Sequence, residues 1–104
     1  MKQIYTVTWS RALGGDDMPV DAFCGTAGAF TKYKKACECL EHEKVKLLDE
    51  LRTDLTDPDD RAVFENSLII SGSIAEDYYE ITYDTVDDNR VQWYFTVQET
   101  ILED

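Results

Sequence analysis

Two cysteines and the only histidine of the chain are spaced closely enough to raise the question of metal chemistry. They form the pattern Cys37-x-Cys39-x-x-His42. On a helix, Cys37 and Cys39 point about 160° apart, whereas Cys39 and His42 are only about 60° apart and could share an ion. A structural zinc site usually has four such ligands. The sequence therefore predicts no metal or other cofactor, and leaves Cys39 with His42 as the candidate pair.

The same thiol and imidazole are the natural candidates for nucleophilic catalysis. A nucleophilic cysteine needs a base within hydrogen-bond reach and a third group that orients this base. The polar face of a helix, where His42 is expected, offers no pocket for a substrate. The sequence therefore predicts no catalytic residue, and we expect a non-enzymatic protein.

A small basic cluster follows a glycine-containing segment. Gly25-Thr26-Ala27-Gly28 is typical of a turn, and Lys32, Lys34 and Lys35 come just after it, where a helix is expected. Free N–H groups at a helix N-terminus attract anions, and lysines strengthen the attraction. Thr26 with the three lysines is therefore a candidate anion site, although the spacing is not that of a Walker loop. The alternative is an entry turn followed by solvated lysines.

The charge of the chain restricts its partners. The 104 residues include 22 acidic and 10 basic side chains, which gives a net charge of −12. Binding to phosphate backbones or anionic lipids depends on clustered lysine and arginine, so we expect no direct contact with nucleic acid or membrane. A basic protein partner is electrostatically favoured. The alternative is that the acidity only keeps the protein in solution.

The cysteine count and the hydropathy pattern bear on localisation. An odd number of cysteines, three, without an apolar leader at the N-terminus argues against a disulfide-stabilised secreted protein. No stretch approaches the ~18 consecutive apolar residues of a membrane-spanning helix. We therefore expect a cytoplasmic protein.

Helical periodicity is strongest between Phe30 and Leu55, where apolar residues fall on one stripe about 120° wide. Thr26 or Thr31 could cap the start of this helix. The helix should end before Pro58, because the residue before a proline avoids the α region. Asp57 can then cap a second, short helix from Pro58 to about Glu65.

Five segments show the alternation or apolar runs of strands. They centre on residues 5–9, 19–24, 68–70, 79–83 and 91–97. Breaks are predicted at Gly14–Asp17 and at Asp87–Asn89. The predicted fold is a single α+β domain over residues 1–104, with a four- to five-stranded, largely antiparallel sheet and one long helix on one face. The order is β-β-α-(short α)-β-β-β. The predicted core is Tyr5, Val7, Trp9, Tyr33, Cys37, Leu40, Leu47, Leu51, Ile70, Ile81, Tyr83, Trp93, Phe95 and Val97.

The second face of this sheet needs a cover. Ile69, Tyr78 and Tyr94 are expected to point away from the long helix, and large apolar side chains on an open face favour a partner. The cover is either the short helix folding back or a second copy of the chain. We expect a homodimer.

The N-terminal third resembles a group of known sequences. Ile4-Tyr5-Thr6-Val7-Thr8, followed by Val20-Asp21-Ala22-Phe23 and a helix, is similar to short uncharacterised α+β proteins of bacteria and their phages. The resemblance implies a strand, a strand, a helix and then C-terminal strands. It implies no assigned activity.

Three hypotheses for the function remain. The first is a protein-binding or self-associating module. The second is an acidic inhibitor encoded by a phage or mobile element, whose carboxylates imitate nucleic-acid phosphates; it requires carboxylates lined up on one face. The third is a small-ligand binder or an enzyme without a recognisable motif, which requires a deep pocket.

Overall fold

A computed structural model describes residues 2–14, 19–87 and 89–102 as a five-stranded antiparallel sheet with two helices. The α+β class and the order of elements agree with the prediction. The strands lie in the order β2-β1-β5-β4-β3. Their bounds are β1 Lys2–Gly14, β2 Pro19–Phe30, β3 Ile69–Ser73, β4 Tyr78–Asp84 and β5 Arg90–Leu102; the helices are α1 Tyr33–Asp54 and α2 Pro58–Ser67.

The strand β2 is longer than predicted, because the expected turn at Gly25–Gly28 does not form. The two glycines are needed for close packing instead. A Cβ atom on Gly25 would lie 2.8 Å from Nε1 of Trp9, and one on Gly28 would lie 2.8 Å from the Phe30 ring. Such close approach of a ring to the backbone is a second reason for glycine inside a strand.

The long helix accordingly begins at Tyr33 rather than Phe30. Its N-cap residue is Lys32, and no side chain caps it, so the predicted caps Thr26 and Thr31 are wrong. The start of α1 is held instead by Tyr33, whose hydroxyl donates to the Asp77 carboxylate in the turn before β4. This hydrogen bond raises the pKa of the Tyr33 phenol.

The second helix is capped as predicted. Oδ1 of Asp57 accepts from the backbone N–H of Asp59 at 2.8 Å and of Asp60 at 3.3 Å. The helix continues to Ser67 rather than Glu65. The Ser67 hydroxyl accepts from the Asp84 N–H at 2.8 Å, which ties the end of α2 to the end of β4.

Both helices pack on the same side of the sheet. Phe64 of α2 is 1% exposed, and its ring meets that of Tyr83 on β4 at 4.9 Å. The same core contains Leu40 of α1 and Ile81 of β4, both fully buried. Of the two covers considered for the opposite face, α2 is therefore excluded, and the described residues leave that face uncovered.

The predicted core is largely confirmed, with two errors. Tyr33 is 42% exposed and Ile70 is 45% exposed. Ile70 lies on the edge strand β3, whereas α1 lies mainly over β2, β1 and β5. The core also contains residues that the prediction left out: Ala36, Leu48, Phe64, Tyr79 and Val91.

The long strands make the molecule elongated. Its principal extents are 53 × 27 × 20 Å, since strands of 12 or 13 residues span about 40 Å. The predicted hairpin between β4 and β5 is present, with the Thr85 N–H donating to the Asn89 carbonyl at 2.9 Å. At the first predicted break, Gly14–Asp17, β1 ends at Gly14, and residues 15–17 lie outside the described residues. At the second, Asp87–Asn89, Asp88 also lies outside them.

Candidate functional site: the open face of the sheet

The uncovered side of the sheet, here called the open face, is built from rows of side chains across neighbouring strands. The register shows which residues belong to this face, because residues paired across neighbouring strands point to the same side of the sheet. Burial alternates along β4, with Tyr79, Ile81 and Tyr83 buried on the helix side. The even-numbered residues of β4 therefore belong to the open face. Two rows form its centre: Ser71–Glu80–Tyr94–Ser10–Cys24 and Ser73–Tyr78–Thr96–Thr8–Thr26.

Charge is scarce on this face. Asp84 and Arg90, at one end, form an ion pair of 3.1 Å. Among the residues whose side chains the structure describes, Glu80 is the other charged residue on the open face. Serine, threonine and glutamine fill most remaining positions. A chain in which 31% of the residues are charged thus has one nearly neutral surface.

The three residues predicted as an interaction surface all lie on this face. Tyr78 and Tyr94 stack, with ring centroids 5.6 Å apart and an interplanar angle of 27°. Ile69, on the edge strand, is 57% exposed and Tyr94 is 38% exposed. The Tyr78 ring also lies against Gly72, whose φ of +90° suits glycine and where a Cβ would collide with the Tyr78 carbonyl. The glycine at position 72 therefore leaves the room that the Tyr78 ring occupies.

Two shallow depressions adjoin each other on the open face. One has a volume of about 400 Å³ and the other about 440 Å³. Both are lined by Ser10, Cys24 and Tyr94, and Cys24 is an exposed free thiol. Drug-sized ligands are usually enclosed in concave, mostly apolar pockets. These hollows are open rather than enclosing, and are instead suited to contact with another surface.

The helix side carries a small polar cluster that is structural. The Tyr79 hydroxyl donates to the Glu41 carboxylate at 2.6 Å, and Nζ of Lys44 lies 3.0 Å from the other Glu41 oxygen. The Lys44 ammonium also lies 4.4 Å from the Tyr79 ring centroid. The hydrogen bond from Tyr79, helped by Lys44, lowers the pKa of Glu41. The cluster fastens α1 to β4.

The candidate metal pair is split between two environments. Cys39 is partly buried, with its Sγ 3.5 Å from the Cβ position of Gly28 on β2, whereas His42 is exposed. Burial, with a contribution from Glu43, raises the pKa of the Cys39 thiol. A raised thiol pKa disfavours the thiolate that a metal needs. In the part of the chain that is described, no group of three or more His, Cys, Asp or Glu residues is placed to hold a metal.

The candidate anion site is also spread out. Thr26 lies inside β2, four residues before its end and thus about 13 Å along the strand from Phe30. Lys34 and Lys35 are exposed in the first turn of α1, and Nζ of Lys35 lies 3.6 Å from Glu38. The predicted turn at Gly25–Gly28, which would have brought Thr26 close to the lysines, is instead part of β2.

Sequence reasoning missed the extent of the open face. Its rows depend on the pairing of β1 with β5 at the centre of the sheet, which is a long-range contact without a local signal. One signal was present, because Thr6, Thr8 and Ser10 alternate with apolar residues. The hydroxyls of one strand face do not reveal that the neighbouring strands carry the same residue types.

Comparison with family models, with curated proteins and with solved structures found no match to this chain. The resemblance to short bacterial and phage proteins therefore stays an expectation. No helix in the described ranges is long and apolar enough to cross a membrane.

Proposed function

We propose that this protein is a non-enzymatic interaction module that associates with a second copy of itself through the open face. The observation that carries the proposal is the scarcity of charge on this one surface of a chain with a net charge of −12. Depletion of charged residues and enrichment of tyrosine distinguish the centre of protein interfaces from other surface. The stacked Tyr78 and Tyr94 lie at that centre.

The size of the face fits a dimer. Three strands of 12 or 13 residues and two shorter ones, spaced about 4.8 Å apart, cover roughly 800 Å². A standard interface buries about 800 Å² on each partner. The chain also exposes 6816 Å², whereas a globular monomer of its mass exposes about 5,900 Å². The excess, about 900 Å², is similar to the area of the open face.

The charge pattern favours a second copy over a basic partner. A basic protein would gain nothing from the one nearly neutral surface and would be attracted to carboxylate-rich surface elsewhere. Two acidic copies, in contrast, can approach through this face with few opposing carboxylates, because among the residues whose side chains are described Glu80 is its one charged side chain outside the Asp84–Arg90 pair. Stacked sheets lie about 10 Å apart, and this arrangement leaves both helical layers outside.

The repulsion that remains gives the dimer a distinctive salt dependence. If each copy is treated as a charge of −12 and the centres are about 20 Å apart, the molecule's smallest extent, the repulsion in water without salt is about 30 kcal/mol. With Debye lengths of about 30 Å at 0.01 M and 8 Å at 0.15 M, it falls to about 15 and about 2.5 kcal/mol. Association should therefore strengthen with salt.

The acidic-inhibitor hypothesis has one observation in its favour. Six carboxylates occur between the last two turns of α1 and the first turn of α2, on the helix side of the sheet, where Arg52 and Arg61 also lie. They are Asp49, Glu50, Asp54, Asp57, Asp59 and Asp60. A basic partner bound there would be released by salt, which is the reverse of the behaviour expected of the dimer.

Charge variants measured by light scattering after size exclusion test the proposal. Tyr94→Asp places a carboxylate at the centre of the face and should produce a monomer. Glu80→Gln removes the unpaired charge and should strengthen the dimer, because burial of a charge is costly. Thr53→Asp on the exposed surface of α1 is the matched control and should leave the dimer unchanged. Equal masses for folded Tyr94→Asp and Thr53→Asp would contradict the proposal.

A further inference from the structure

The two edges of the sheet differ in how far they are protected. β3 has five residues, and the chain leaves it through Gly72 and a 3-10 turn at Ile74–Glu76. β2 has 12 residues, and within the described ranges no strand pairs with its outer side. Natural proteins usually shorten, charge or cover an edge of this length, because its free N–H and C=O groups attract another strand. After Pro19 and Asp21 at its start, β2 is neither short nor charged, and within the described ranges no strand covers it.

The residue types of β2 leave its backbone accessible. Phe23 to Thr31 contains no charged residue, and the six positions from Cys24 to Ala29 carry nothing larger than cysteine or threonine. A strand 4.8 Å away would therefore meet no bulky or charged side chain. A register shift opposite Val7 and Thr8 adds twist but does not interrupt the strand.

The inner edge of the same strand shows which side chains fit against it. β1 places Val7 opposite Gly28 and Trp9 opposite Gly25, so large side chains meet positions without any. The Trp9 indole covers Gly25. Because the Trp9 and Phe30 rings already lie over Gly25 and Gly28, aromatic and β-branched residues of an added strand would pack against these rings, whereas a second glycine-rich β2 would not.

The end of β2 adds a charge preference. Lys32, Lys34 and Lys35 follow Phe30 within five residues, and all three are exposed. An antiparallel partner strand has its N-terminal end beside Phe30, as Tyr5 of β1 does. Carboxylates at the N-terminal end of the partner segment would therefore meet the lysines.

We infer that the outer edge of β2 binds an extended segment of another polypeptide by antiparallel strand addition. The segment has bulky aromatic and β-branched residues opposite the glycines and carboxylates at its N-terminal end. Backbone hydrogen bonds supply the binding, and alternate side chains supply the selectivity. This site is the outer backbone edge of β2, whereas the proposed dimer uses the side chains of the open face, so the inference does not depend on the dimer.

The probe is a synthetic peptide with the sequence of residues 4–10 of this chain, IYTVTWS, preceded by two aspartates. Binding to the isotope-labelled full chain is followed by amide shifts and hydrogen exchange. We expect saturable shifts in β2 and at the start of α1, with alternate β2 amides gaining protection. Two control peptides carry N-methyl groups on alternate amides, one on the odd-numbered and the other on the even-numbered residues. Because alternate N–H groups of a strand point to opposite edges, only the peptide whose N-methyl groups point away from β2 should bind.

A charge pair completes the test. Lys34→Glu should weaken binding about five-fold, the size expected for a surface charge contact. Lys46→Glu, about 18 Å further along the helix, should not. Absence of saturable shifts up to about 1 mM peptide, shifts centred on the open face, or equal binding of both N-methylated peptides would each overturn the inference. Sedimentation of the same samples reports the dimer separately.

Discussion

Replacing Phe64 with alanine should loosen α2 from the sheet. Phe64 is 1% exposed and is the one buried residue of α2. Its contact with Tyr83, at 4.9 Å, is the main aromatic link between α2 and β4. The hydrogen bonds that tie this helix to its neighbours, Asp84 N–H to Ser67 and Arg52 to Glu65, are at most partly buried. The position of Phe64 is also the reason that α2 cannot cover the open face.

The expected loss of stability is large compared with the total. Truncation of a buried phenylalanine costs about 3–5 kcal/mol, and an aromatic edge contact of this kind contributes about 0.5–1.5 kcal/mol of that loss. A domain of 104 residues has a total stability of about 5–15 kcal/mol. Phe64→Ala should therefore lower the urea midpoint markedly.

Equilibrium unfolding in urea, followed by tryptophan fluorescence and circular dichroism, measures this loss. Asn66→Ala, on the exposed surface of the same helix, is the matched control and should change the free energy of unfolding by less than about 0.5 kcal/mol. A Phe64→Ala variant as stable as Asn66→Ala would refute the placement of α2. The short helix would then be free to cover the open face, and the case for a dimer would fail with it.

Three further substitutions test individual contacts. Tyr79→Phe removes the hydrogen bond to Glu41 and should cost about 1 kcal/mol at pH 7. This bond lowers the pKa of Glu41 in the folded protein. Its contribution to stability is therefore present above the pKa of Glu41 in the unfolded chain, near ~4.3, and is lost as the pH falls through the pKa in the folded protein. A difference in stability between the unmodified protein and Tyr79→Phe that does not shrink in acid would contradict this. Asp57→Ala should cost about 1 kcal/mol in urea unfolding through the lost cap, with Asp57→Asn nearly neutral. Gly72→Ala, at a φ of +90°, should cost about 1–3 kcal/mol, and a neutral effect would mean that the turn after β3 is placed wrongly.

Much of the fold was predictable because its signals are local. Alternation in β4 and β5, the stripe of α1 and the Asp57–Pro58 boundary each depend on residues close in sequence. The errors share a cause as well. Gly25 and Gly28 have the composition of a turn, but they are glycines because the rings of Trp9 and Phe30 lie on them. Only the fold supplies those neighbours.

The candidate site was predictable only in part, for the same reason. Ile69, Tyr78 and Tyr94 could be assigned to one face by period-two counting within each strand. The neutral rows through Ser10, Cys24 and Thr26 depend on β1 pairing with both β2 and β5, which sequence periodicity does not specify. The cover of the open face was left as either the short helix or a second copy, and the burial of Phe64 against Tyr83 excludes the short helix.

Sedimentation equilibrium of the unmodified protein tests the central claim most directly. Samples from about 10 to 200 µM would be compared at about 0.01, 0.15 and 0.5 M salt, across which screening changes most. We predict a mass approaching twice the 11.9 kDa of the chain at the two higher salt concentrations and a shift towards monomer at the lowest. A mass of 11.9 kDa at every concentration and salt, or a dimer that dissociates as salt is raised, would contradict self-association through the open face.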